Sequence, residues 1–397
     1  MVRVNTNLRV ATSFNPTKKS HSMEIYDMCK KIMNDKITLP LYQRDVSWTL
    51  KKCKDLFNYQ LFGKAPVAPI SINEINNGIP IPQISFIDRE LVPNERIANA
   101  HLSIVDGQQR LTTNFKAFTN HPDFSNLVLD VSRAKFRIIE SAPSNSQIPV
   151  GILLNEDDSL IEEYLSERDL IPSLYTVLVK VRSKIHSYSY TINIAEDLTE
   201  KEQIEWFEIL NNAGSRVTTI QMAFSKLKVH NLDIYKEYTR PFKEILKSYG
   251  VDELFSPFTT NVSYPIAALN APYEVVVKNR HHNNNHAPIP SDTKEDILVK
   301  LDIPVLKNII SRSLNSLELT MRFLDDNSLL DRVNRVDYIL YLSGFFAYSD
   351  FEGIEDIPEN IMQELVQWVD EVNFKNQTNT ARRKIFTDLL NQITVLT

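Results

Sequence analysis

The segment Ile104-Val105-Asp106-Gly107-Gln108-Gln109-Arg110-Leu111-Thr112-Thr113 changes character at its centre. Before the change, Leu102 to Val105 is short, apolar and strand-like. After it, Leu111, Phe115 and Phe118 fall at four- and three-residue spacing, the apolar face of a helix. Asp106-Gly107 supplies a turn, with Gly107 free to take a positive φ. The segment therefore reads as strand, tight turn, helix. Such a turn places backbone N–H groups at a helix N-terminus, where an anion is favoured. Arg110 adds a planar, permanently charged fork suited to phosphate. Gln108 and Gln109 each donate and accept, as groups that orient a water or a base do. This chemistry points to a nucleotide or phosphate site built by one turn. A plain βα turn with a surface Arg has the same spacing, and no GxxxxGK[ST] element occurs in the chain.

The chain has 397 residues, 43% hydrophobic and 24% charged, enough for two domains with a large core. A net charge of −6 argues against coating DNA by bulk charge and leaves room for a local basic groove. Cys29 and Cys53 are too few for a zinc site or a disulfide framework, so a reducing cytoplasm is the expected setting. The N-terminus lacks an apolar signal-peptide core, and no run of about 18 apolar residues marks a membrane span.

Residues 1 to 22 read as an arm or edge strand. Ser22 is placed to cap a helix beginning at Met23. Ile37 to Leu41 is short and apolar, and Tyr42-Gln43-Arg44 follows at its end. Arg44 there reaches either a phosphate or a surface carboxylate. Thr49 to Phe62 is a helix with Leu50, Cys53, Leu56, Phe57 and Leu61 on one face, ended by Gly63. Val67 to Ile75, the pair Phe124 to Val131 and Lys135 to Ile139, and Ser187 to Ile194 are strands. Leu174 to His186 is a helix. Thr199 and Glu202 form a capping box that opens another. Asn211-Asn212-Ala213-Gly214 ends it, either as an αα-corner or as a cover over a ligand. From His230 the pattern is helical, with amphipathic stretches Val305 to Leu324, Val333 to Ala347, Ile357 to Val372 and Thr378 to Leu396. The polar segment around 278–296, with His281, His282 and His286, reads as a mobile loop rather than a metal site. Arg382-Arg383-Lys384 is the one compact basic patch, either a DNA phosphate contact or an exposed helix face.

Three segments in order resemble the GmrSD-type restriction family: Leu39-Pro40-Leu41-Tyr42-Gln43-Arg44 with Trp48, the IVDGQQRLTT segment, and Phe207 to Gly214 continuing to Thr218. The resemblance implies an α+β fold. A ParB/sulfiredoxin-like domain would span residues 1–230 and an all-α domain residues 231–397. It places Tyr42, Gln43, Arg44, Gly107, Arg110, Thr112, Asn211 and Asn212 around a nucleoside triphosphate. Mg²⁺ is then expected with the phosphates. Asp106 would place that metal or orient water, unless it only braces the turn. Gln108 and Gln109 would orient the water or read the base. Full-length relatives carry an HNH-type nuclease half, whose His-x-x-Pro spacing His286-Ala287-Pro288 does not reproduce. The implied function is a nucleotide-binding, NTP-hydrolysing subunit of a DNA restriction or phage-defence system, acting with DNA and a separate HNH-type nuclease subunit. Oligomerisation is compatible with it. A nucleotide-gated binding module without hydrolysis and a self-sufficient endonuclease are the alternatives.

Overall fold

A computed structural model describes residues 4–16, 19–43, 48–77, 81–97, 99–210, 224, 227–255, 263–349 and 351–394. The chain divides into two units, Met1–Val217 and Thr218–Thr397. The first mixes sheet and helix and the second is helical, an α+β domain followed by an all-α one.

In the first unit the strands are β1 (Lys19–Glu24), β2 (Ile37–Pro40), β3 (Ile70–Ile75), β4 (Gln83–Ile84), β5 (Leu91–Val92), β6 (His101–Asp106), β7 (Leu127–Asp130), β8 (Lys135–Ile138), β9 (Gln147–Pro149) and β10 (Ser189–Glu196). The helices used below are α1 (Thr6–Ser13), α2 (Ile25–Met33), α3 (Leu50–Phe62), α4 (Gln108–Phe118), α5 (Val150–Leu153), α6 (Ser159–Ser166), α7 (Ile171–His186) and α8 (Glu200–Leu210). A seven-stranded mixed sheet runs β1-β10-β3-β6-β2-β4-β5, and a second sheet runs β8-β7-β9. β2 lies parallel to β6, with Ile37 opposite Leu102 and Thr38 opposite Ser103. β3 runs antiparallel to β6 on its other side. β6 is buried from His101 to Val105, with apolar Leu102, Ile104 and Val105 broken by the buried polar Ser103.

Ile104 and Leu111 share one core with Met28, Ile32 and Phe118. Phe57, Phe136, Leu153 and Leu178 share another. Thr49 caps α3 through the Lys52 amide. The Thr199–Glu202 capping box forms as expected, with the Thr199 N–H donating to Glu202 at 2.9 Å. Ser22 departs from expectation. It lies in β1 opposite Thr191, and α2 begins only at Ile25. Pairing with β10 satisfies a whole strand of backbone groups, where a cap satisfies one.

In the second unit the main helices are α9 (Arg240–Ser248), α10 (Asn270–Val277), α11 (Ile303–Asp326), α12 (Val336–Tyr348), α13 (Glu359–Glu371) and α14 (Asn379–Thr394). α12 is buried along most of its length. At Gly344 it approaches α14 so closely that a Cβ would stand 2.7 Å from the Phe386 ring. Phe224 and Leu227, assigned from sequence to the first domain, belong to this unit's core.

The segment expected to be a mobile loop near 278–296 is instead packed. Glu274, fully buried, accepts from the Asn283 amide at 2.6 Å, from Tyr348 Oη at 2.6 Å and from His282 Nδ1 at 2.8 Å. Asn270 Nδ2 donates to the Ala287 carbonyl at 2.7 Å. His286 stacks on Tyr273. A buried carboxylate needs such donors; His282 and Asn283 lie eight and nine residues on, and Tyr348 lies 74 on. No local periodicity announces them.

Candidate functional site

Parallel pairing of β2 and β6 brings the first two sequence motifs to one edge of the sheet. Tyr42-Gln43 leaves the end of β2 just as Asp106-Gly107-Gln108 leaves the end of β6. Gln43, 4% exposed, locks the two together: its Nε2 donates to the carbonyls of Val105 at 2.8 Å and Ile104 at 3.2 Å. Its own carbonyl accepts from the buried Arg89 at 3.0 Å. Tyr42 is buried, and its hydroxyl donates to Gln203 Oε1 of α8 at 3.2 Å. Gln203 Nε2 returns to the Leu198 carbonyl at 2.9 Å. The helix that opens the third motif is thereby tied to the first. Burial pushes the Tyr42 phenol upward, with Glu200 adding to the shift.

Gly107 is the N-cap of α4 with φ +101° and ψ 5°. An added Cβ would stand 2.3 Å from Ile70 Cδ1. Conformation and space both require glycine there. The turn delivers the chain from β6 directly into the first turn of α4.

Arg110 is only 12% exposed at its side chain and is already engaged. Its Nη1 donates to the Ala68 carbonyl, its Nη2 to the Pro69 carbonyl at 3.0 Å, and Nη2 lies 3.4 Å from Asp106 Oδ2. The guanidinium lies over the Tyr190 ring, 5.8 Å from its centroid. Arg110 thus clamps the start of β3 against α4. With Nη2 directed at both Pro69 and Asp106, a bidentate phosphate must displace one of them.

Behind it sits a polar cluster that sequence reasoning missed. Tyr190 Oη accepts from Gln60 Nε2 at 3.0 Å and from Asn114 Nδ2 at 3.3 Å. Burial pushes this phenol up to about 12, with Arg110 opposing. The available signals were Asn114, four residues after Arg110 on one helix face, and the alternation of β10.

The other expected residues divide by exposure. Asp106, Gln109 and Arg110 are partly exposed, while Gln108 is buried. Gln109 Oε1 accepts from the Trp48 amide at 3.1 Å, which ties the turn to the entrance of α3. Thr112 is fully buried, and its hydroxyl has no partner among the described residues. The expectation that it binds nucleotide is therefore corrected: it faces the interior because it shares the buried face of α4 with Leu111 and Phe115. Arg44, Asn211 and Asn212 lie outside the described residues.

Two residues of the basic patch on α14 are half-buried and paired with buried carboxylates. Arg383 donates from Nε to Asp292 Oδ2 at 2.9 Å, and Asp292 is 1% exposed. Arg382 Nη1 lies 3.0 Å from the buried Asp337. Only Lys384 is exposed. Arg382-Arg383-Lys384 as a DNA contact is replaced by two structural ion pairs that pin α14.

Among the described residues no group of three or more His, Cys, Asp or Glu could hold a metal. No helix among them is long and apolar enough to cross a membrane.

An uncharacterized protein of Methanocaldococcus jannaschii is 29% identical over 161 residues, 37% of this chain and 27% of that protein. The chain thus spans about a quarter of the length of the curated relative it matches. No solved structure matches. Residues 25–228, more than half of the chain, match the N-terminal domain of GmrSD restriction endonucleases. The chain belongs to the GmrSD restriction endonuclease N-terminal domain family.

Proposed function

We propose that this chain is a nucleotide-responsive component of a DNA restriction or phage-defence system, with a nucleoside triphosphate held by its phosphates at the β6–α4 turn. The observation that carries the reading is the convergence of the motif segments at the ends of two adjacent parallel strands, where a left-handed glycine feeds a helix N-terminus. Ligands of open α/β sheets bind beyond the carboxyl ends of parallel strands, and helix N-termini favour anions. Family membership supplies the restriction context.

In this reading the turn positions the phosphates. Arg110 exchanges a carbonyl or Asp106 contact for a phosphate oxygen, which couples binding to the hold on Ala68 and Pro69. Gln109, already bonded to the Trp48 amide, links the same event to α3. The partly exposed Asp106 is the carboxylate at this turn that would hold Mg²⁺ bound together with the nucleotide. One carboxylate suits an ion whose remaining ligands are phosphates and water. When bound, that ion would neutralise developing phosphate charge. The helical unit passes the state of the site to DNA or to a separate HNH-type nuclease, in the cytoplasm where foreign DNA arrives, alone or as an oligomer.

A second reading, a gated binding module without hydrolysis, is favoured by the engagement of Arg110, since nucleotide that only rearranges the clamp needs no turnover. Phosphate release from each of the four ribonucleoside triphosphates with Mg²⁺, with and without DNA, tests both on wild type and Asp106→Asn. Release lost in Asp106→Asn with binding retained supports hydrolysis. Binding without release supports the gate. Absence of both refutes the nucleotide site.

A further inference from the structure

The strands that carry the motifs at one end open at the other onto a separate cleft of about 660 Å³, within the range of small-molecule sites. Lys31, Lys36, Arg96 and His101 line it, with Asp35 the one carboxylate. Asp35 is taken by Arg96, Nη1 to Oδ2 at 2.9 Å. Neither Lys31 nor Lys36 has a carboxylate partner among the described residues.

The lysines are held together by the turn that ends α2: the Lys36 amide donates to the Lys31 carbonyl at 2.8 Å. The Lys30 carbonyl accepts from the amide and the side chain of Asn34, at 3.2 and 2.7 Å. The exposed carbonyls of the helix end are thus satisfied by the turn itself, and the ammonium groups are not used up in capping.

His101 is 4% exposed, and its tautomer follows from its neighbours. Gln83 Nε2 donates to the Ile81 carbonyl at 2.8 Å, which fixes the amide with Oε1 toward Thr38. Thr38 Oγ1 donates to that Oε1 at 2.8 Å. The Thr38 hydroxyl, its proton spent, accepts from His101 Nε2 at 2.6 Å. Nε2 therefore carries hydrogen and Nδ1 carries the ring's lone pair. Burial, opposed by Asp35, lowers the His101 pKa, in keeping with a neutral ring. Nothing among the described residues bonds Nδ1.

We propose that this cleft binds a small phosphorylated hydroxyl compound of the sugar-phosphate class, its phosphate on Lys31 and Lys36 and a hydroxyl donating to His101 Nδ1. Among the described residues no Phe, Tyr or Trp lines the cleft, so recognition rests on the charged and hydroxyl groups and not on stacking a base. The site is distinct from the β6–α4 turn and does not depend on that turn binding nucleotide. It is joined to it through β2, which begins at Ile37 and ends before Tyr42, and through β6, which runs from His101 to Asp106.

Calorimetry with ribose 5-phosphate, inorganic phosphate and ribose, on the full chain, tests this. Ribose 5-phosphate is expected to bind saturably, phosphate more weakly and ribose alone not measurably. The variant Lys31→Gln/Lys36→Gln, at a half-buried and an exposed lysine, should keep its unfolding temperature and bind ribose 5-phosphate about tenfold more weakly. Arg110→Gln, the charge change at the motif turn, should bind it as wild type does. Equal affinity for phosphate and ribose 5-phosphate overturns the hydroxyl contact to His101. No binding of either phosphate, or unchanged binding in the double variant, overturns the site. Loss in Arg110→Gln, with the unfolding temperature kept, would place the anion at the motif turn instead and overturn it too. Failure of nucleotide binding in wild type, with ribose 5-phosphate binding intact, refutes only the reading of the β6–α4 turn.

Discussion

Gly107→Ala tests the geometry of the motif turn, because two separable costs meet there. The backbone sits at φ +101°, and a left-handed conformation costs an L-residue about 1–2 kcal/mol. The new Cβ would also stand 2.3 Å from Ile70 Cδ1. Relief requires Ile70 to leave its packing at the head of β3, an overpacking cost of about 1–3 kcal/mol. Together these destabilise the β6–α4 junction by about 3 kcal/mol. Ile70→Val deletes the offending methyl at its own cost of about 0.5–1.5 kcal/mol. In that background Gly107→Ala should cost only the backbone part, so the two substitutions couple favourably by about 1 kcal/mol or more. Hydrogen exchange of the α4 amides reads this locally, which matters in a chain of two units that need not unfold together. If Gly107→Ala leaves α4 protection within about 0.5 kcal/mol of wild type, or Ile70→Val gives no relief, the reasoning is wrong.

Other residues allow sharper checks. Tyr190→Phe removes the acceptor of the Gln60 and Asn114 amides while keeping the ring under Arg110, and should cost about 1–3 kcal/mol in urea unfolding. Arg383→Ala leaves the buried Asp292 carboxylate without its fork and should destabilise the helical unit by about 3–5 kcal/mol in thermal unfolding. Its DNA affinity, measured on folded protein, should not change. His186 is pulled down to about 4 by burial first and Arg182 second. The folded state then binds fewer protons than the unfolded chain between about 4 and 6.5. Stability is complete above that window and falls as pH drops through it, a loss that His186→Phe should remove from the acid-unfolding profile.

The elements legible in the sequence were those whose partners are local. The Gly107 turn, the Thr49-capped α3, the Thr199–Glu202 box and the long helices of the second unit each declare themselves through spacing or a cap. What stayed hidden depends on residues far apart in the chain. Ser22 is drawn into β1 by Thr191, and Glu274 is bonded by Tyr348, 74 residues on. Arg382 and Arg383 are claimed by Asp337 and Asp292. The same holds at the candidate site. The identity of its segments was readable, but not that Tyr42, Gln43 and Thr112 are buried, nor that Arg110 holds the carbonyls before β3. A guanidinium looks the same in sequence whether it awaits a phosphate or grips a backbone.

Hydrogen exchange with and without a nucleoside triphosphate and Mg²⁺ tests the central claim most directly, because it locates the ligand as well as detecting it. The account predicts added protection in peptides covering Asp106 to Arg110 and the end of β2, with altered exchange around Ala68 and Pro69 as Arg110 changes partners. Saturating nucleotide that leaves all three segments unchanged would contradict it.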